Sequence, residues 1–147
     1  MINQISSLDI SKKTVLNILY TQNCISDQFY EILKPFDISA EQFNVLRILR
    51  GQKGSPANMC LIQERMLAKT SNTTRLVDKL LLKDLVTREV CQKNRRKIEV
   101  LITTKGLELL IELDPLVIAH ENSFSDNLKN DELLQLNILL EKYRIKN

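Results

Sequence analysis

A mainly helical fold with one small β-hairpin is what this sequence predicts. Gly and Pro number three each in 147 residues, too few turn-formers for a chain of many short strands. Apolar residues recur at helical intervals over most of the length, and only residues 86–102 switch to β-branched segments. The composition, 44% hydrophobic and 27% charged, excludes a disordered chain. A chain near this length buries roughly 68–70% of the surface its unfolded form exposes, enough for one real core. The longest apolar runs are short pieces such as Leu80-Leu81-Leu82. A membrane span needs ~20 such residues, so no membrane partner is expected.

The elements follow in order. From Ile10 to Leu33 a stripe of Val15, Ile18/Leu19, Ile25, Phe29 and Ile32/Leu33 runs beside a second one of Leu16, Tyr20 and Cys24. The apolar face is therefore wide, as on a helix covered on more than one side. Pro35 ends it, because the residue before a proline disfavours helical dihedrals. Ser39 and Gln42 form a capping-box pattern for a helix that carries Phe43, Leu46 and Leu49 to Gly51. Ser55 as cap and Pro56 at the first helical position predict a short helix with Met59, Ile62 and Met66 on one stripe. After a turn at residues 67–70, Thr70 or Ser71 opens a further helix that points Thr73, Leu76/Val77, Leu80 and Leu81 inward. Residues 86–90 and 98–102 read as two strands around the basic tip Lys93-Asn94-Arg95-Arg96-Lys97. Thr103 or Thr104 caps a helix to about Ser125, with a kink or one-residue break expected at Asp114-Pro115. A last helix, rich in leucine, begins at Asn130-Asp131-Glu132.

Net charge is only +3, but it is unevenly spread. Residues 60–105 carry eleven Lys/Arg against five Asp/Glu, a net of +6, and the remainder carries −3. A basic middle between neutral-to-acidic ends fits one surface that meets an anionic polymer, as well as a merely solvated face. Cys24, Cys60 and Cys91 stand 36 and 31 residues apart, without the close spacing of a zinc knuckle or a CxxC motif. Met1–Lys13 shows no apolar core of a secretory signal, so free thiols in a reducing cytoplasm are expected, with Cys91 the most exposed of the three. One histidine, His120, expected at a surface or interface, and three glycines leave no HExxH, GxGxxG or P-loop. Neither a metal nor a cofactor is implied.

Two short helices with a tight connection, followed by a basic hairpin, make a winged helix-turn-helix. A helix fits the major groove of B-DNA and presents its first-turn side chains to base edges. Ser71, Asn72, Thr74 and Arg75 occupy that first turn: short donors and acceptors plus one fork-shaped cation. Capping alone would account for Ser71 and Asn72. The wing favours the DNA reading, since Lys93, Arg95, Arg96 and Lys97 sit within five residues and repel one another unless an anion offsets them.

The segment from Leu61 to Leu80, above all Thr74-Arg75-Leu76-Val77-Asp78-Lys79-Leu80, resembles the helix-turn-helix of the multiple antibiotic resistance regulator (MarR) family. Leu85-Val86-Thr87-Arg88, Asn94-Arg95-Arg96 and Leu101-Ile102-Thr103-Thr104-Lys105-Gly106 follow at that family's spacing. The stretch from Ala40 to Arg47 and Asp131-Glu132-Leu133 also fit, so the resemblance covers roughly residues 10–145. It implies one domain over 1–147, with dimerisation helices at 10–36 and 104–147 around a winged DNA-binding region at 39–103. It further implies a homodimeric transcription regulator, a repressor on a pseudo-palindromic operator in double-stranded DNA. Ser71, Asn72, Thr74 and Arg75 would lie in the major groove, and Arg95 and Arg96, flanked by Lys93 and Lys97, on the wing. Many members are released by a small phenolic effector, and another branch senses peroxide through a cysteine in the first helix. Here Cys24 is on that helix, about two turns after Leu16, which occupies the position of that cysteine. The chain departs from the pattern at Asn94, where an Asp is usual, and at Leu67 and Asp84, where glycines are usual. If those glycine positions require positive φ, Asp tolerates it moderately and Leu poorly.

Three rival readings remain: a redox-sensing regulator of the same fold, a winged-helix module that binds protein, and a small enzyme built on Glu108 and Glu112. The last pair has i, i+4 spacing but no nucleophile beside it, and a solvated helix face explains it more simply. No enzymatic activity is expected.

Overall fold

Capping residues set most of the helix boundaries in the computed structural model, which describes residues 9–146. Asp9 accepts a hydrogen bond from the Ser11 amide at 3.2 Å and starts α1 (Ile10–Leu33). Lys34-Pro35-Phe36 then tightens into a 3₁₀ turn that closes on Asp37 in the left-handed region at φ 53°. Within the chain α1 buries only Leu33; Val15, Leu16, Leu19, Tyr20 and Ile25 of its wide apolar face are exposed. The capping box at α2 (Ala40–Gly51) forms in full. Ser39 Oγ accepts from the Gln42 amide, and Gln42 Oε1 accepts from the Ser39 amide, each at 3.1 Å. This helix buries Phe43, Val45, Leu46, Ile48 and Leu49, and Phe43 meets Phe29 edge-on at 5.3 Å.

The next helix starts later than Ser55 and Pro56 suggest. Ala57 and Asn58 form a two-residue strand, β1, before α3 (Met59–Arg65) begins with Asn58 as its cap, Oδ1 accepting from the Leu61 amide at 2.8 Å. The tertiary partner decides the matter: Ala57 pairs with Val100 across the sheet, and both side chains are fully buried. The helix after the turn is likewise shifted, α4 running Thr73–Leu82 with Asn72 as its cap. The hairpin strands are β2 (Val86–Val90) and β3 (Ile98–Ile102), with Val86 opposite Ile102 and Val90 opposite Ile98. With β1 they make a three-stranded antiparallel sheet of order β1-β3-β2, a third strand that the sequence pattern does not announce. Val45, Leu46, Ala57, Ile62, Met66, Val77, Leu80 and Val100 are among the fully buried side chains of this region.

The end of α4 shows what the non-glycine at position 84 does. The Leu85 amide donates to the Leu80 carbonyl and the Asp84 amide to the Leu81 carbonyl, at 3.1 and 3.0 Å, with Asp84 at φ 58°. That is a Schellman closure with an aspartate in the left-handed seat that glycine fills best. Leu67, by contrast, has no positive φ, so the turn before α4 does not demand a glycine. Replacing Asp84 by glycine is therefore expected to raise stability by up to about 1 kcal/mol, read as a higher Tm. An unchanged or lower Tm would show that the aspartate side chain offsets its own backbone cost.

Thr103 ties the strand end to the next helix. Its Oγ1 donates to the Asp84 carbonyl at 2.7 Å and accepts from the Gly106 amide at 3.0 Å, while its amide donates to the Leu85 carbonyl. A Cβ at Gly106 would stand 2.4 Å from the Leu85 carbonyl oxygen, so only glycine lets this first turn approach so closely. The helix it opens, α5 (Thr104–Ser125), is continuous through Pro115, so of the kink or one-residue break expected there the break does not occur. A proline removes one backbone donor, the one that would have met the carbonyl of Ile111, a residue exposed on its side chain's face. The last helix, α6 (Asn130–Arg144), begins where Glu132 Oε2 accepts from the Lys129 amide at 2.8 Å. It buries none of its side chains within the chain.

The chain clusters into two compact units, one closing at Leu110 and the other opening at Ile111. His120 in the second is buried, not a surface residue, and packs edge-on against Phe124 at 5.3 Å. Among the described residues no helix is long and apolar enough to cross a membrane. The stretch examined for a secretory signal lies, over residues 1–8, outside the described residues.

Candidate nucleic-acid interface

The start of α4 presents a short polar edge. Asn72 is exposed and its Oδ1 accepts from the Arg75 amide at 3.1 Å, the usual work of an N-cap side chain. Thr73 turns inward and is buried, which leaves Thr74 and Arg75 exposed on the first turn and Ser71 half-buried just ahead of the cap. The reading from sequence put Ser71 and Asn72 inside the helix; they are its lead-in and cap. Asn72 has extended backbone, and its side-chain oxygen accepts from the amide three residues on. Between this edge and α3 lies an open cleft of about 590 Å³, lined by Cys60, Gln63 and Glu64 on one side and Ser71, Asn72 and Thr74 on the other. Its openness suits a long polymer laid across it rather than an enclosed small molecule.

The hairpin tip is built by two successive turns. The Asn94 amide donates to the Cys91 carbonyl at 3.2 Å and the Lys97 amide to the Asn94 carbonyl at 2.9 Å, while the Cys91 amide closes the base of the tip on the Lys97 carbonyl at 2.9 Å. Asn94 Oδ1 accepts from the Arg96 amide at 3.1 Å, so its side chain shapes the tip through a neutral hydrogen bond. Lys93, Arg95, Arg96 and Lys97 are all exposed. The ion pairs of Lys83 with Asp37 and of Arg88 with Asp78 lie away from the tip, and among the described residues no acidic side chain is paired with its cations. Four cations thus stand together without an acidic partner.

The Arg88–Asp78 pair escaped the sequence reading. Arg88 Nη1 donates to Asp78 Oδ1 at 2.7 Å and joins strand β2 to the outer face of α4. The two residues are ten apart across a turn, beyond any helical or strand periodicity, so no local signal pairs them. The cysteines also fall differently from expectation. Cys60 is the exposed thiol, on α3 in the cleft, whereas Cys24 and Cys91 are half-buried. Cys91 is drawn in because its backbone closes the hairpin. Glu108 and Glu112 are exposed on α5, and among the described residues no group of three or more His, Cys, Asp or Glu could hold a metal ion.

Residues 38–98 match the family model described as MarR family. Among solved structures, a MarR transcription factor from Planctomyces limnophilus is 31% identical at TM-score 0.72, covering 91% of this chain and 97% of that one. A mutant MarR from E. coli, complexed with operator DNA, is 25% identical at TM-score 0.81, covering 94% of this chain and 100% of that one. An organohalide-sensing transcriptional regulator with 2,4-dichlorophenol bound shares the fold at TM-score 0.85 and 15% identity, over 95% of this chain and 82% of that one. No curated protein sequence matched.

Proposed function

The chain belongs to the MarR family of transcription regulators, and on that premise we propose that it is a homodimeric repressor released from a pseudo-palindromic operator by a small effector. One observation carries the DNA-binding reading. Four exposed cations, without acidic partners among the described residues, crown the wing, in the same winged unit as a helix start that offers Asn72, Thr74 and Arg75 to solvent. Holding like charges together is unfavourable until a polyanion neutralises them. In this reading Ser71, Asn72, Thr74 and Arg75 meet base edges in the major groove. Arg95 and Arg96, with Lys93 and Lys97, meet phosphates or the minor groove. Residues 39–103 are the DNA-binding region, and 10–36 and 104–147 the dimerisation helices. The exposed apolar face of α1 and an α6 that buries nothing in its own chain support a partner copy. An aromatic, phenol-like effector is supported by the fold shared with the dichlorophenol-bound regulator. The same reading puts the protein in the cytoplasm. The alternative, a redox-sensing regulator of the same fold, would rest on Cys24, a half-buried thiol of the kind that more often packs as a small hydrophobe.

Salt titrations test this. Each of Arg95→Ala and Arg96→Ala is expected to lower the log–log salt slope of binding by about one unit, on selected and scrambled duplex alike. Slopes equal to that of the unsubstituted protein would remove the wing from the interface.

A further inference from the structure

The turn that aims α4 contains no glycine and no residue with positive φ; one backbone bond, from the Ser71 amide to the Ala68 carbonyl at 3.1 Å, closes it, and side chains reaching into it hold the rest of its path. Two do so from outside the DNA-facing set. Asn44 on α2 accepts the Leu67 amide on its Oδ1 at 3.0 Å. Gln63 on α3 does more: its Nε2 donates to the Lys69 carbonyl at 2.9 Å, and its Oε1 accepts from Thr73 Oγ1. One amide thus ties the middle of the turn and the first residue of α4 to the preceding helix. Thr73 is 6% exposed, so it cannot exchange this bond freely with water. It is also the immediate neighbour of both Asn72 and Thr74, and any rotation of Thr73 re-aims them together with Arg75.

We propose that Gln63 is a positioning residue for DNA reading, setting the phase of α4 through Thr73 and the turn through the Lys69 carbonyl. The inference rests on the reading that the start of α4 enters the major groove. Both functions of the amide are needed. A leucine has neither donor nor acceptor. A glutamate keeps an acceptor for Thr73 but loses the donor and sets negative charge against the Lys69 carbonyl. Half-buried, Gln63 also lines the cleft beside Asn72 without being one of the residues expected to reach bases. Loss of its contacts should therefore spare the wing and degrade discrimination.

The experiment compares the tightest duplex that the full-length protein selects from a random-sequence pool with a scrambled duplex of equal length. Gln63→Leu and Thr73→Val are each expected to cut the ratio of the two affinities by about tenfold, the scale of one hydrogen bond's positioning effect. The salt slope stays unchanged, Gln63→Glu restores part of the ratio at most, and the double variant loses no more than the worse single one. Hydrogen exchange without DNA should quicken at the Asn72–Arg75 amides in Gln63→Leu while the α2 amides keep their protection. Retained discrimination in both single variants overturns the proposal, and so does an equal loss on both duplexes alongside a fallen Tm, which is a purely structural role. Arg75→Ala separates this from the underlying reading. If Arg75→Ala leaves the ratio intact, the groove assignment itself fails and takes the proposal with it; if only the Gln63 and Thr73 variants leave it intact, the proposal alone fails.

Discussion

Deleting residues 131–147, or replacing Leu136 and Leu139 together by glutamate, is expected to abolish dimerisation and to weaken operator binding by about 10²–10⁴-fold. The physical basis is α6 itself. A fifteen-residue helix that buries nothing in its own chain is marginal in water unless its apolar face is covered. Leu134, Leu136, Ile138, Leu139 and Tyr143 are all exposed, and Leu128, Leu136 and Leu139 flank a shallow groove beside the helix start. Covering such leucines is worth roughly 1.5–3 kcal/mol each, so two buried glutamates reverse the sign of the association. A lone protomer engages one half-site, and the avidity of a linked pair, of the order of 10²–10⁴, disappears. Sedimentation velocity checks the state and gel shift the affinity. A truncated chain that stays folded, soluble and monomeric, with operator affinity intact, would reject the dimer.

Arg75→Ala should cost on the order of 1–3 kcal/mol on the selected duplex and much less on scrambled DNA. Arg75 stands exposed on the first turn of α4, where its guanidinium can pair bidentately with a guanine edge. The structure changes how the companion test at Asn72 must be designed. Asn72→Ala removes the cap as well as the amide, and the cap alone is worth roughly 0.5–2 kcal/mol of stability. Asn72→Ser keeps a capping oxygen and loses only the base-reading fork, so a specific loss there is attributable to recognition. Equal weakening of both duplexes by Arg75→Ala would mean a phosphate contact and not a base reader.

Where one short stretch of chain decides its own conformation, the sequence was readable. Ser39 with Gln42 and the two β-branched runs at 86–90 and 98–102 announced their elements almost to the residue, whereas at Pro35 α1 ends as expected but Lys34 before the proline keeps helical dihedrals, φ −54° and ψ −45°. Where a distant partner decides, it was not. Ser55-Pro56 carries a sound helix-start signal, yet Ala57 is claimed by Val100, forty-three positions on, and the helix waits for Asn58. Ser71 is as good a capping residue as Asn72, and nothing local chooses between them. Arg88 with Asp78 and Gln63 with Thr73 are bonds across turns, invisible to any periodicity. The DNA-facing candidates were legible because they are a charge run and a helix start; what holds those candidates in place was not. Of the kink or one-residue break expected at Pro115, the break does not occur: α5 continues through it.

The four wing cations also bear on how quickly a complex forms. Charge that is exposed and unneutralised on a projecting hairpin feels a polyanion before any groove contact exists, out to roughly the ~8 Å Debye length of physiological salt. Diffusional capture is then steered, and collisions that begin at random orientation are turned wing-first toward the duplex. Diluting the salt should shorten the search for a site more than it lengthens residence there. A neutral hydrogen bond from Asn94, in place of a carboxylate at the tip, leaves that forward charge undiminished.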